Sequence, residues 1–200
     1  MAERTEAKPA EDRRGLGTIE RRQLLMLARD SIEYGLSHGC RQPLSGFTDA
    51  VFRHHAACFV TLTKAGALRG CVGTLVVNQS LAETIAYFSY SAAFEDRRFE
   101  PLAAKELALV RIGISVLSKQ QPMSVASDAQ LLKALSPGKD GLTISCGRHH
   151  ATFLPQVWES LPEPRAFVSA LKAKAGLSSD FWSPEMRWFR YEVESFSEPG

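Results

Sequence analysis

Residues 68–75 read Leu-Arg-Gly-Cys-Val-Gly-Thr-Leu, a strand-like apolar run interrupted by two glycines. Glycine weakens a strand interior, so glycines there mark a bulge or a place where something approaches the backbone closely. A thiol, Cys71, and a guanidinium, Arg69, stand two residues apart in the same run. This combination makes the run the candidate site and limits what can pack around it.

The 200 residues fit one large domain or two small lobes, with length enough for a sizeable core. A net charge of +2 implies no strong polyanion partner, so nucleic-acid binding is the weakest reading. The chain has no apolar run of about 18 residues, so no membrane span is expected. The first residues, MAERTEAKPAEDRRG, have no apolar core of a signal peptide, and a cytoplasmic location is expected. Their mixed charge reads as a disordered tail over residues 1–17, followed by a single domain over 18–200. The four cysteines, Cys40, Cys58, Cys71 and Cys146, form no C-x-x-C pair and are expected as separate reduced thiols.

Periodicity divides the rest. Thr18 as N-cap, helical spacing of Leu24, Leu25, Ala28, Ile32 and Leu36, and Gly39 as a stop predict a first helix. A polar loop with Pro43 and Gly46 follows. Residues 57–64 and 68–77 read as strands joined through Ala65-Gly66-Ala67. Ser80 starts a helix with Leu81, Ile85, Phe88 and Ala92 on one face. A short helix over 102–107, a buried strand over 108–117 and a helix over 127–135 come next. Residues 141–146 and 151–154 read as a hairpin, and 162–176 as a helix with Phe167, Leu171 and Ala175 inward. Residues 187–196 alternate as one strand. Two hairpins among alternating helices favour an α+β fold, a mostly antiparallel sheet flanked by helices.

Leu68–Leu75, Asp96-Arg97-Arg98-Phe99 with Pro101-Leu102, Ile114–Ser118, Gly138–Leu142, Phe153–Val157 and Lys174–Leu177 occur in an order that resembles the AMMECR family, whose bacterial members are called AmmeMemoRadiSam system protein A. The resemblance runs from about residue 20 to 197. It implies two lobes with a cleft near Leu68–Leu75. It also implies two partners, a Memo-like protein and a radical S-adenosylmethionine (radical SAM) enzyme, and it implies no reaction. Arg97 replaces the proline usual in the family, and no family histidine matches His149-His150.

Read as a strand, the run places Arg69, Cys71 and Gly73 on one face, with Cys71 about 7 Å along from Arg69. A nearby guanidinium favours the thiolate, so Cys71 is the candidate nucleophile and Arg69 positions negative charge. Gly70 and Gly73 offer N–H groups to an anion or carbonyl, and Thr74 adds a hydroxyl. Asp96 and Arg98 line the cleft and bind a polar ligand, a small molecule or a modified side chain. The bland readings stand beside these. Cys71 is a small buried strand residue, and Asp96–Arg98 is an ion-pair cluster at a helix end. No general base is assignable: His149 and His150 face opposite ways on a strand and are expected to be satisfied locally. Phe99 is expected to anchor the junction, Pro155-Gln156 to form a turn, and Arg165, Lys172 and Lys174 to form a solvated face. Phe181, Trp182, Trp188 and Phe189 are expected in the core. No metal-ligand spacing, phosphate loop or dinucleotide fingerprint is present, so no cofactor is expected. The main rival to a thiol site is a non-catalytic adaptor that docks a partner around Asp96–Phe99 and Phe153–Val157.

Overall fold

Two glycines bracket the first helix. The computed structural model describes residues 15–44 and 50–199; the expected loop glycine Gly46 and most of the expected tail lie outside them. Helix α1 runs Thr18–His38. Its N-cap is Gly17, one residue before the expected Thr18, and the Gly17 N–H donates to Glu20 Oε2 at 2.6 Å. At its other end Gly39 adopts φ 69° and donates to the Gly35 carbonyl. Residues 15–17 are tied down, since the Leu16 N–H reaches both Glu194 carboxylate oxygens at 3.1 Å.

After a single helical turn, α2 (Ala50–Arg53), come β1 (Cys58–Lys64) and β2 (Ala67–Gly73). Ala65 and Gly66 join them with φ 51° and 80°, the paired left-handed geometry that suits strand twist. Strand β2 stops four residues before expectation, because the Thr74 hydroxyl takes the Val76 N–H and turns the chain. Ser80 caps α3 (Leu81–Phe94) through a reciprocal box with Glu83. A 3-10 turn over Ala104–Leu109 leads into β3 (Val110–Leu117). The second lobe holds β4 (Gln121–Met123), α4 (Asp128–Ala134), β5 (Gly141–Cys146), β6 (His149–Phe153), a 3-10 turn over Pro155–Glu159, α5 (Pro164–Lys174) and β7 (Arg187–Tyr191). The last strand, β8 (Val193–Ser197), returns to the first lobe.

The result is α+β with two antiparallel sheets, ordered β2-β1-β3-β8 and β4-β7-β5-β6. The run 187–196, expected as one strand, is two. It leaves one sheet after Tyr191 and enters the other at Val193, so alternation continues across a change of sheet. Tyr191 is buried there with Ala57 and Leu117, and Phe59, Leu154 and Val193 pack against them to join the lobes. The inner face of the first sheet (Cys58, Val60, Leu62, Ile112, Ile114) packs on α1 and α3. The second core contains Phe167, Leu171 and Trp188, with Trp158 stacked on Phe167. Trp182 stacks on Trp188, whereas Phe181 is exposed. The expected solvated face on α5 fails at Lys172, which is fully buried. Its ammonium meets both Asp128 oxygens and the Ser179 carbonyl.

Helix α3 lies directly on β2, and Gly70 makes that approach possible. A Cβ on Gly70 would sit 2.1 Å from the Ala92 carbonyl oxygen of α3. Gly70→Ala is therefore expected to cost about 3 kcal/mol in urea unfolding. Gly113→Ala serves as the control, because its Cβ would meet nothing closer than 3.8 Å. It should leave stability unchanged within about 1 kcal/mol. Equal losses in the two variants would contradict this account of the packing.

Candidate functional site

The pairing of β1 with β2 slips by one residue. Leu62 faces Gly70, but Thr63 faces Leu68, so Arg69 is an extra, bulged residue. Two consequences follow. First, the bulge shifts the register so that Thr61, and not Val60, stands opposite Cys71, and the Thr61 hydroxyl donates to Cys71 Sγ at 3.2 Å. Second, Arg69 leaves the face it was expected to share with Cys71. Its guanidinium binds Glu106 at 2.9 and 3.2 Å, and Lys64, from the next inner-face position after Leu62, binds the same carboxylate at 2.8 Å. Arg69 is only 13% exposed and so holds the strand in place. Together Arg69 and Lys64 hold the Glu106 carboxyl well below the usual carboxylate range.

Strand β2 is a sheet edge, whose outward N–H and C=O groups need partners. At Cys71 those partners are side chains. Asp96 accepts the Cys71 N–H at 2.9 Å, and Arg98 donates to the Cys71 carbonyl at 3.0 Å. Arg98 also grips Asp96 with two bonds, at 2.9 and 2.6 Å. The Arg98 hydrogen bonds keep the Asp96 carboxyl well below its usual range, although Asp96 is only 7% exposed. Phe99 lies between the two cations, its ring centre 5.5 Å from the Arg98 guanidinium and 5.9 Å from that of Arg69. The junction 96–99 thus joins the run 68–75 directly.

The glycines allow close packing. Gly70 is occupied by α3, and a Cβ on Gly73 would lie 2.4 Å from the Cys58 carbonyl oxygen. At both, the missing Cβ makes room for the protein's own backbone. Thr74 is likewise engaged, its N–H on the Cys58 carbonyl and its hydroxyl on Val76. His149 is bonded to the Ala175 carbonyl at the end of α5, and His150 is exposed.

Cys71 is half-buried on the outer face of the first sheet, opposite the helices. Thr61, Gly113 and Ser197 continue its row across the sheet, roughly 14 Å in all by strand spacing. The next row is Gly73, Phe59, Ser115 and Ser195. This floor, small-chained apart from Phe59, runs toward the second lobe, where a groove of about 480 Å³ opens between the turns at Pro137-Gly138 and Pro155–Glu159 and Val193 and Ser195 of β8. The Pro155-Gln156 turn therefore also lines the cleft. Thr61, Lys64 and Glu106 escape a reading by residue spacing, since an unslipped hairpin would set Thr61 opposite Gly70. Cys58 is the internal contrast. It is fully buried on the inner face, and burial pushes its thiol up to about 12. Among the described residues, no three His, Cys, Asp or Glu side chains are grouped to hold a metal ion.

The clamp makes stability depend on acid. A carboxyl lowered by folding adds stability above its unfolded value, 3.8 for Asp96 and 4.5 for Glu106, and this is lost as pH falls below those values. The urea midpoint should thus drop on going from about pH 5 to pH 3. Asp96→Ala should flatten part of that slope and cost about 2 kcal/mol at pH 7, by leaving the Cys71 N–H and Arg98 unpaired. An unchanged slope in the variant would rule out the clamp as a stabilising element.

Comparison with known proteins gives the chain its relatives. The AMMECR1 family model matches residues 25–196. A Methanothermobacter thermautotrophicus protein is 34% identical over 191 residues, covering 92% of this chain and 97% of its own length. One from Methanosarcina mazei is 34% identical over 187 residues, covering 92% and 94%. The crystal structure of an uncharacterised protein from Pyrococcus horikoshii superposes with a TM-score of 0.75 at 27% identity, covering 88% of this chain and 90% of that one. A family model that matches most of the chain, and relatives a third identical over nearly their whole length, show that this chain belongs to the AMMECR1 family.

Proposed function

We propose that this chain is the recognition component of an AmmeMemoRadiSam-type system in the cytoplasm. In this reading it works with a Memo-like protein and a radical SAM enzyme. Its cleft binds a small molecule or a modified partner side chain beside Cys71. One observation carries the reading: the half-buried Cys71 thiol stands on the outer face of the sheet, in a row with Thr61, Gly113 and Ser197, while its peptide is held from both sides by Asp96 and Arg98. Arg98 is 55% exposed and spends only part of its donor set on Asp96 and Cys71, leaving it able to meet a polar ligand at the edge of that floor.

The neighbouring carboxylates support recognition over stand-alone catalysis. Asp96 and Glu106 are each committed to cations and stay ionised, so neither is poised to take a proton near neutral pH. The group bonded to the sulfur is a threonine hydroxyl, which donates to it. Chemistry at Cys71 then depends on what a partner brings to the floor. The non-catalytic adaptor instead docks its partner around Asp96–Phe99 and Phe153–Val157 and leaves Cys71 a structural strand residue.

Two variants test this with purified partners from the same organism. Cys71→Trp, which fills the floor, should weaken association by about tenfold in calorimetry. Unchanged association would sink the reading. Cys71→Ser should keep association and lose turnover of the reconstituted system. Full turnover in Cys71→Ser would remove the nucleophile and leave the adaptor.

A further inference from the structure

The groove at the corner of the two lobes takes Gly138 from the run Gly138–Leu142 and Pro155 and Gln156 from the run Phe153–Val157. Trp158 fixes it from behind. Its indole N–H donates to the Asp140 carbonyl at 2.7 Å, which locks the two turns together, and its ring stacks on Phe167 at 3.8 Å. Asp140, itself buried, accepts the Ser136 N–H at 2.8 Å and closes the first turn. Three prolines, Pro137, Pro155 and Pro162, supply rigid apolar walls. The volume lies within the range of sites that take one small group.

The polar lining has one sign. Glu159 is its single ionised group, exposed and without an ion-pair partner among the described residues. Gln156 adds a carboxamide and Ser195 a hydroxyl. Lys139, beside the groove, is turned to Glu192 at 3.1 Å. An anion would find no cation here. A guanidinium would find a carboxylate and a carboxamide oxygen to accept its forked donors, and proline rings to cover its methylene stem.

We propose that this groove seats an arginine side chain of a partner polypeptide. The groove opens at Ser195, on the row next to that of Cys71, so a segment anchored there would continue over the same floor. The assignment rests on the groove alone and does not depend on chemistry at Cys71.

Titration of the full-length chain with the tripeptide acetyl-Gly-Arg-Gly-amide, followed by two-dimensional NMR, tests it. The uncharged citrulline peptide is the control. The arginine peptide should shift the signals of Gly138, Gln156 and the Trp158 indole, with a Kd of about 1 mM. Glu159→Gln, at an exposed position that leaves the spectrum otherwise intact, should weaken binding about tenfold. Equal shifts with citrulline, no shifts at these residues at 20-fold higher peptide, or unchanged affinity in Glu159→Gln would each overturn the proposal.

Discussion

The tripeptide Asp96–Arg98 does for Cys71 what a neighbouring strand would do: it accepts the N–H and donates to the carbonyl. The rest of the site depends on that substitution of side chains for backbone. Helix α3 must end beside β2 to deliver Asp96, and it can only because Gly70 has no Cβ to meet the Ala92 carbonyl. The bulge at Arg69 must fall where it does, or Thr61 would not face the sulfur. Burial sets the ranking of the ion pairs involved. The Arg69–Glu106 pair is 13% and 15% exposed and shares its carboxylate with Lys64, so breaking it strands a mostly buried charge. The open Lys139–Glu192 pair contributes little.

The two lobes meet through one short crossing of the chain. Tyr191 ends one sheet and Val193 begins contact with the other, and the apolar residues around them close the junction. That junction covers one end of the first sheet's outer face, and among the described residues no helix packs on the rest. That part carries Thr61, Gly113, Ser115, Ser195 and Ser197, whose side chains are short enough for another molecule to come close to the sheet. Helices α1 and α3 cover the opposite face. The cleft is thus a product of covering a sheet on one side and at one end.

Much of this was legible in the residues. Caps and turns are local, so Ser80, Gly39 and the Ala65-Gly66-Ala67 turn announced their elements within a residue or two. The inward faces of α3 and α5 followed from spacing. The family motifs pointed to the run 68–75 and to Asp96–Phe99 as one neighbourhood. What escaped was non-local. A bulge adds one residue without changing composition, so period-two counting put Arg69 beside Cys71 when it reaches Glu106 instead. The same counting carried one strand through Glu192 although the chain changes sheets there. Strand β4, three residues with Pro122 at its centre, gives too short a pattern to see. Lys172 reads as a surface cation until Asp128, 44 residues earlier, is brought onto it.

The central claim is that folding leaves the Cys71 sulfur open while burying that of Cys58 in the same sheet. Site-resolved alkylation of the native chain by iodoacetamide at pH 7.5, quantified by peptide mass spectrometry, tests it most directly. The account predicts that Cys71 reacts within about tenfold of the rate of a free thiol while Cys58 stays unmodified until the chain is unfolded. Cys71 remaining as inert as Cys58 in the native protein would contradict it.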